Sequence, residues 1–525
     1  MASEAIGTVS AIGKGSFGPC ELASANTTRM DLDVSVEHLG FGDSLAGLLV
    51  DGVESTPYVG ATLRLSDTGV EVEIPYLPGF AVDQFAHVDG WFRRMNPEEI
   101  LLLRTRDGNV KLLGCRWSGH SEAAGSRIGS GRIAPQETLL FERDGALSDP
   151  LTVKTCRSRM DGLNRWSRLS AVETGPRRDG NGRSTAVDTT VQSPEPVEWA
   201  QGEATMRIRT TWTSSETSDG YERSHVVANN VVIESEWAEP RPFFDHLVEQ
   251  RKVAHLLIFL FGTALSVREH RVQDESIPAR LMGGEVYDHP FVELISARTI
   301  RERAQPNPTH KKLGRPHLML QEVGAEGLAR WAEVYDRWDR FILPAVAVIG
   351  RRQRFTEDVV MSTSMALEAA GQLIGPRPGE DATYDRGRGR PTMATYVYRC
   401  LELLGIQWGD YIHSQVGLAR AISNNYRRVK HADNGAFPDH VETYLVSVIN
   451  ELVVRLLAPH LTGSATELLG RYRAGSELWT VRQQFETNQV RISDDEGNWV
   501  STADDDAATN QADQDAEASL PSSSP

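Results

Sequence analysis

Asn424-Asn425-Tyr426-Arg427-Arg428-Val429-Lys430-His431 packs two amides, three cations and a histidine into eight residues. The residues that follow, Val441, Tyr444, Leu445, Val448, Ile449, Leu452, Val453 and Leu456, recur at i, i+3, i+4 and i+7 and define one apolar face of a helix over residues 439–457. The cationic stretch closes a second helical pattern over 411–430. Between the two, Asp433-Asn434-Gly435 and Pro438 predict a turn, and Asp439 predicts a cap for the later helix. The polar cluster therefore stands at the end of a rigid helical frame.

The same period extends upstream. Trp331, Val334, Tyr335, Trp338, Phe341 and Ile342 begin a helical series from about Gly324, and Pro344 kinks it or ends its first segment. Further helices are predicted over 355–374, which carries Glu368, and over 393–406. Residues 376–391 form a loop holding Arg386-Gly-Arg-Gly-Arg390. Short connections between these helices predict an antiparallel bundle over 325–480.

The first ~290 residues read differently, as strands. Leu63 and Leu65 alternate toward Asp67-Thr68-Gly69, and Val70, Val72 and Ile74 alternate away from it, a hairpin signal. Residues 100–105 and 110–117 flank Asp107-Gly108-Asn109 in the same way. Met206, Ile208 and Trp212, then Val226, Val227 and Val231 to Ile233, form a later set, with a polar loop at 175–184. A helix over 243–267 is expected to pack on the sheet, and Pro306, Pro308, Gly314 and Pro316 mark a linker. The fold class expected is α+β: a β-rich amino-terminal domain (1–300), a linker (301–324), an all-α bundle (325–480) and a disordered acidic tail (488–525).

At 525 residues and 40% hydrophobic content the chain can bury two or more cores. No window reaches the ~18–20 apolar residues of a membrane span, and the amino terminus lacks a basic segment followed by an apolar run. Cys20, Cys115, Cys156 and Cys400 show neither paired nor metal-ligand spacing. A cytoplasmic protein without a metal or other cofactor is expected. The net charge of −17 is uneven. Residues 491–525 carry nine acids against Arg491, whereas 325–480 is balanced, with 18 basic and 18 acidic residues. The bundle is thus the part least repulsive to a polyanion. The tail, rich in Asp, Ala, Ser and Gln, reads as disordered, either solubilising the chain or competing with nucleic acid for the basic cluster.

With Ala366-Leu367-Glu368-Ala369 on one helix and Asn425 to His431 ending a later one, the helical part resembles the HEPN fold of the ApeA-like family of bacterial anti-phage proteins, in which a β-rich domain precedes the bundle. The resemblance implies an abortive-infection defence protein. Its bundle would cleave RNA as a homodimer, and its amino-terminal domain would sense a phage-derived trigger. The family motif sets Arg ahead of His with a longer spacer; here three residues separate Arg427 from His431 and two separate Arg428 from it, while Tyr426 stands five before.

Metal-free RNA cleavage needs a group to deprotonate the 2′-hydroxyl and cations to stabilise the pentacoordinate phosphate. The candidates are His431 as acid or base, Arg427 and Arg428 beside it, and Asn424, Asn425, Lys430, Arg386, Arg388 and Arg390 as RNA or phosphate ligands. Glu368 would pair with one of the arginines across the bundle. Basic residues and His are also favoured at any helix C-terminus by the helix dipole, so a purely structural cluster stays open. So does a non-catalytic HEPN protein that binds a nucleotide, RNA or protein partner, or a toxin neutralised by an unlinked partner. Gly13-Lys-Gly15-Ser-Phe-Gly18 matches a kinase-type glycine loop in spacing alone, without the accompanying His-Arg-Asp and Asp-Phe-Gly elements.

Overall fold

A computed structural model describes residues 8–11, 39–51, 58–78, 86–106, 108–122, 128–141, 151–218, 220–281, 283–431, 437–472 and 476–502. The glycine stretch at 13–18, Asp107 and the turn at 433–435 lie outside them. The chain divides into two compact units, one of residues 1–251 and 266–309, the other of 252–265 and 310–525.

The first unit is a sheet protein. Its strands are β1 (Thr8–Ala11), β2 (Ser44–Val50), β3 (Val59–Ser66), β4 (Gly69–Tyr76), β5 (Ile100–Arg104), β6 (Asn109–Leu113), β7 (Arg116–Glu122), β8 (Gly129–Ala134), β9 (Glu137–Phe141), β10 (Thr152–Met160), β11 (Val172–Arg178), β12 (Ser184–Val191), β13 (Val197–Gln201), β14 (Ala204–Ser218), β15 (Arg223–Pro242), β16 (Val267–Gln273), β17 (Ala279–Arg280), β18 (Val286–Asp288) and β19 (Val292–Ser296). Fourteen of them form one antiparallel sheet in the order β13-β14-β15-β10-β16-β19-β9-β6-β5-β2-β3-β4-β8-β7. The hairpin read from Asp67-Thr68 is present, with Ser66 opposite Gly69, and Leu63, Leu65, Val72 and Ile74 all face the core. The Gly108 hairpin joins β5 and β6, but the apolar run 110–117 is split: Gly114 in left-handed backbone ends β6 before β7 begins.

Two short helices, α1 (Ala86–Arg94) and α2 (Leu163–Ser167), bury Trp91, Phe92 and Trp166 in this unit. Residues 175–178, expected in a loop, are strand: β11 and β12 form a solvent-exposed ribbon with β1, closed by a turn at 179–183. Polar composition hid it, because a ribbon with little core contact needs no apolar alternation.

Helix α3 (Phe243–Phe261) contributes to both units. Its first half is pinned to the sheet. His246 Nδ1 and Nε2 lie 2.9 Å from Ser235 Oγ and the Val153 carbonyl, and Gln250 Nε2 donates to the Cys156 carbonyl at 3.1 Å. Its second half belongs to the helical unit, where Trp331 Nε1 donates to the Lys252 carbonyl at 2.8 Å and the Phe259 ring stacks on Phe341. The expected extent to Val267 is wrong. The helix stops at Gly262, whose φ of +64° favours glycine and whose Cβ would fall 2.5 Å from Arg455 Cζ, and Val267 opens β16.

After α4 (Ile300–Arg303) and α5 (His310–Leu313), the second unit runs through α6 (Leu320–Tyr335, interrupted at Gly324), α7 (Asp339–Ile349), α8 (Thr356–Ile374), α9 (Met393–Leu404), α10 (Gln415–Lys430), α11 (His440–Leu461), α12 (Ala465–Tyr472) and α13 (Ser476–Asn488). A 3₁₀ turn (Asp336–Trp338) separates α6 from α7, and Pro344 lies inside α7 without ending it. Helix α8 packs on α7, α9, α10 and α11. The α8–α9 crossing is close because Gly371 has no side chain; a Cβ there would meet the Tyr396 backbone at 2.2 Å. Helix α10 begins at Gln415, later than expected, because Ser414 caps it by accepting from Gly417 N at 2.9 Å. Asp439 caps α11 as predicted, accepting from Val441 N at 2.8 Å.

The tail expectation needs correction. Residues 488–502 hold regular structure: β20 (Val490–Ile492) pairs with β21 (Trp499–Ser501), and Ile492 is buried and exchanges backbone hydrogen bonds with Tyr411 and His413. Of the expected tail, residues 503–525 lie outside the described residues. Among the described residues no helix is long and apolar enough to cross a membrane.

Candidate functional site

Helix α10 buries Leu418, Ala419, Ala421, Ile422, Asn425 and Tyr426. At 100° per residue, Arg420, Asn424, Arg427 and His431 fall within an arc of about 60° on the opposite side. His431 is the C-cap, its backbone extended (φ −117°, ψ 109°) and its N–H donating to the Arg427 carbonyl at 3.1 Å. The side chains of Arg427, Lys430 and His431 are exposed, and Lys430 Nζ sits 5.3 Å from the Tyr426 ring centre. Arg428 Nη1 lies 3.7 Å from Glu442 of α11. Burial pushes that carboxyl up and the guanidinium pulls it back.

The other sequence candidates are placed in three different ways. Asn425 is buried and donates from Nδ2 to Thr443 Oγ1 at 3.0 Å, tying α10 to α11, while its Oδ1 has no partner among the described residues. Arg388 and Arg390 project from a turn that Asp385 organises, its side chain accepting from Gly387 N at 2.7 Å and its carbonyl from Gly389 N at 2.8 Å. Arg386, in the same turn, pairs with Glu496 of the β20–β21 turn.

Glu496 also accepts from Arg420 Nη1 at 2.6 Å, and its carbonyl lies 3.4 Å from Asn424 Nδ2. Glu368 is half-buried on α8 and makes no ion pair among the described residues. The buried pair of this unit is instead Glu380–Arg399, with Nε–Oε2 at 2.7 Å and Nη2–Oε1 at 2.8 Å.

Sequence reasoning missed Arg420 and Glu496. Arg420 was detectable, standing four before Asn424 and so one turn below it on the same face. Glu496 was not, because its role depends on a hairpin that returns from outside the bundle helices. Acidic cover on a basic stripe is a switchable arrangement, since the same guanidiniums that hold a carboxylate hold a phosphate. Among the described residues no three His, Cys, Asp or Glu side chains gather as metal ligands.

A family profile described as ApeA N-terminal domain 1 matches residues 54–331, more than half of the chain. The chain belongs to the ApeA family. Membership assigns this ApeA protein to a family of antiviral, anti-phage defence proteins. The matched span comprises the sheet from β3 onward, all of α3, and α6 as far as Trp331. No curated protein and no solved structure matches the chain.

Proposed function

We propose that this ApeA protein is a cytoplasmic abortive-infection defence protein whose helical unit is a HEPN-type, metal-independent RNA endonuclease. The observation that carries the reading is the Arg420–Asn424–Arg427–His431 face of α10, which presents an exposed imidazole and exposed or displaceable guanidiniums along one line. His431 takes the proton of an RNA 2′-hydroxyl, the 2′-oxygen attacks the adjacent phosphorus, and the bond to the 5′-oxygen breaks as that oxygen takes a proton from water, giving a 2′,3′-cyclic phosphate and a 5′-hydroxyl. Arg427 and Arg428 stabilise the pentacoordinate phosphate, and Lys430, Asn424, Arg386, Arg388 and Arg390 hold the flanking backbone. In this reading two chains pair through the bundle as a homodimer, and the amino-terminal domain senses a phage-derived trigger.

The test is RNA cleavage by the full-length protein in chelator. His431→Ala is expected to reduce cleavage by ~10²- to 10⁴-fold while leaving thermal stability within about 1 kcal/mol, because the side chain is an exposed cap. Equal cleavage by wild type and the variant overturns the assignment. So does cleavage that requires added magnesium.

A second reading, a non-catalytic HEPN protein binding a nucleotide, RNA or protein partner, is favoured by the Arg428–Glu442 contact and the short Arg-to-His spacer. It predicts RNA association without turnover, lost on replacing Arg427 and unaffected by His431→Ala.

A further inference from the structure

The sheet unit contains a cleft of about 600 Å³ lined by Arg116, Trp117 and Ser118 of β7, Ala134 at the end of β8, Pro135 and Gln136 after it, and Ala297 and Arg298 after β19. That volume lies within the ~300–1,000 Å³ of small-molecule sites. Strand β7 is an edge of the sheet, and its pairing with β8 breaks register between Trp117 and Gly119, leaving Ser118 as an extra residue. A bulge of this kind re-aims neighbouring side chains and is common beside binding sites.

The chemistry of the lining is selective. Neither Arg116 nor Arg298 has a carboxylate ion-pair partner among the described residues. The Gln136 amide, oriented with its oxygen toward Arg116, accepts from Nη2 and, at 3.3 Å, from Nε, which fixes the fork of that guanidinium. The Arg298 guanidinium lies 4.5 Å from the Phe244 ring centre, so it is held by its face with its N–H edges unspent.

Trp117 adds a half-buried indole to the lining, one side of which packs against the apolar core of the sheet. Acid is present at the margin. Glu137 is near Arg298, its carboxyl pushed up by burial and drawn down by that guanidinium. Glu71 is engaged by Ser118 at 3.3 Å and by Arg132 at 3.7 Å.

We infer that this cleft binds a nucleotide: the phosphate between the Arg116 and Arg298 guanidiniums, and the flat base against Trp117, Pro135 and Ala297. An anion alone does not use the apolar wall, and a neutral aromatic does not use the two guanidiniums. The inference stands apart from the nuclease reading, because every residue it uses lies in the sheet unit.

Isothermal titration of the full-length protein with AMP, GMP, CMP and UMP tests it, with adenosine, inorganic phosphate and benzoate as further titrants. At least one nucleoside monophosphate is expected to bind. Arg116→Ala and Arg298→Ala should each weaken that binding about tenfold or more, as loss of a charge-assisted contact does. Trp117→Leu should weaken it as well, and adenosine should bind at least tenfold more weakly than AMP. Inorganic phosphate should compete weakly. The exposed positions of Arg116 and Arg298 keep both arginine variants folded. Four results overturn the proposal: no binding by any of the four nucleotides, binding unchanged in both arginine variants, adenosine binding as tightly as AMP, or benzoate binding as tightly as the best nucleotide.

Discussion

Replacing Arg399 with Leu should destabilise the helical unit by several kcal/mol, and the loss should be largest at neutral pH. Glu380 is 4% exposed and accepts four hydrogen bonds: two from Arg399, one from Arg377 N at 2.7 Å and one from Tyr384 Oη at 2.7 Å. Arg399 also donates from Nη1 to the Gly371 carbonyl at 3.2 Å, so the pair joins the α8–α9 crossing to the 3₁₀ turn Glu380–Thr383. The Arg399 donors are the largest reason that the Glu380 carboxyl is held down at about 2, from an ordinary 4.5.

A carboxyl held there binds its proton several hundredfold more weakly than in the unfolded chain, which by linkage is about 3 kcal/mol of folded-state stability at neutral pH. Removing one partner of a buried pair costs about 3–5 kcal/mol, in agreement. Because the folded value is the lower one, this contribution is complete above about pH 4.5 and disappears as pH falls toward 2. The assay is hydrogen–deuterium exchange of α9 peptides in the intact protein at pH 7 and at the low end of the range where it stays folded. Arg399→Leu should cut α9 protection by ~10²- to 10³-fold at pH 7, and by less in acid. Glu380→Leu/Arg399→Leu should restore much of it, because no charge is then left buried. Protection in Arg399→Leu within threefold of wild type, or the same loss at both pH values, would refute the reasoning.

The cover on the basic stripe can be removed without touching the core. Glu496→Gln should strengthen RNA association at low salt and steepen the salt dependence by about 0.7 in log–log slope for each phosphate that Arg386 or Arg420 then gains; superimposable curves for wild type and variant would rule out a competitive role for Glu496. Deleting 503–525 should leave the melting temperature unchanged. Deleting 490–525 should lower the stability of the helical unit by about 2–4 kcal/mol, since it exposes the Ile492 site and breaks the Phe485–Trp499 stack. Calorimetry that shows equal losses for the two truncations would contradict a packed β20–β21 hairpin.

Sequence alone determined where the chain changes from period two to period three and a half. Burial on one side of a strand or helix writes itself into neighbouring residues, so the Asp67-Thr68 hairpin, the strands around Met206 and Val231, the helices carrying Glu368 and Arg427, and the Asp439 cap could all be read locally. The cationic end of α10 was legible for the same reason. What only the tertiary structure decided depends on residues far apart in the chain. Helix α3 reads as one apolar run, but its first half is held by Ser235 and Val153 and its second by Trp331 and Phe341. Asn425 looked like a surface ligand and is a buried tie to Thr443, because a polar residue at a helix end carries no mark of which neighbour covers it. Glu380, Arg399 and Glu496 drew no attention as single charges in an acidic chain. Their significance lies in partners 19, 110 and 76 residues away, for Glu380–Arg399, Arg386–Glu496 and Arg420–Glu496 in turn, brought within hydrogen-bond reach by helix packing and by a hairpin that composition had assigned to a disordered tail.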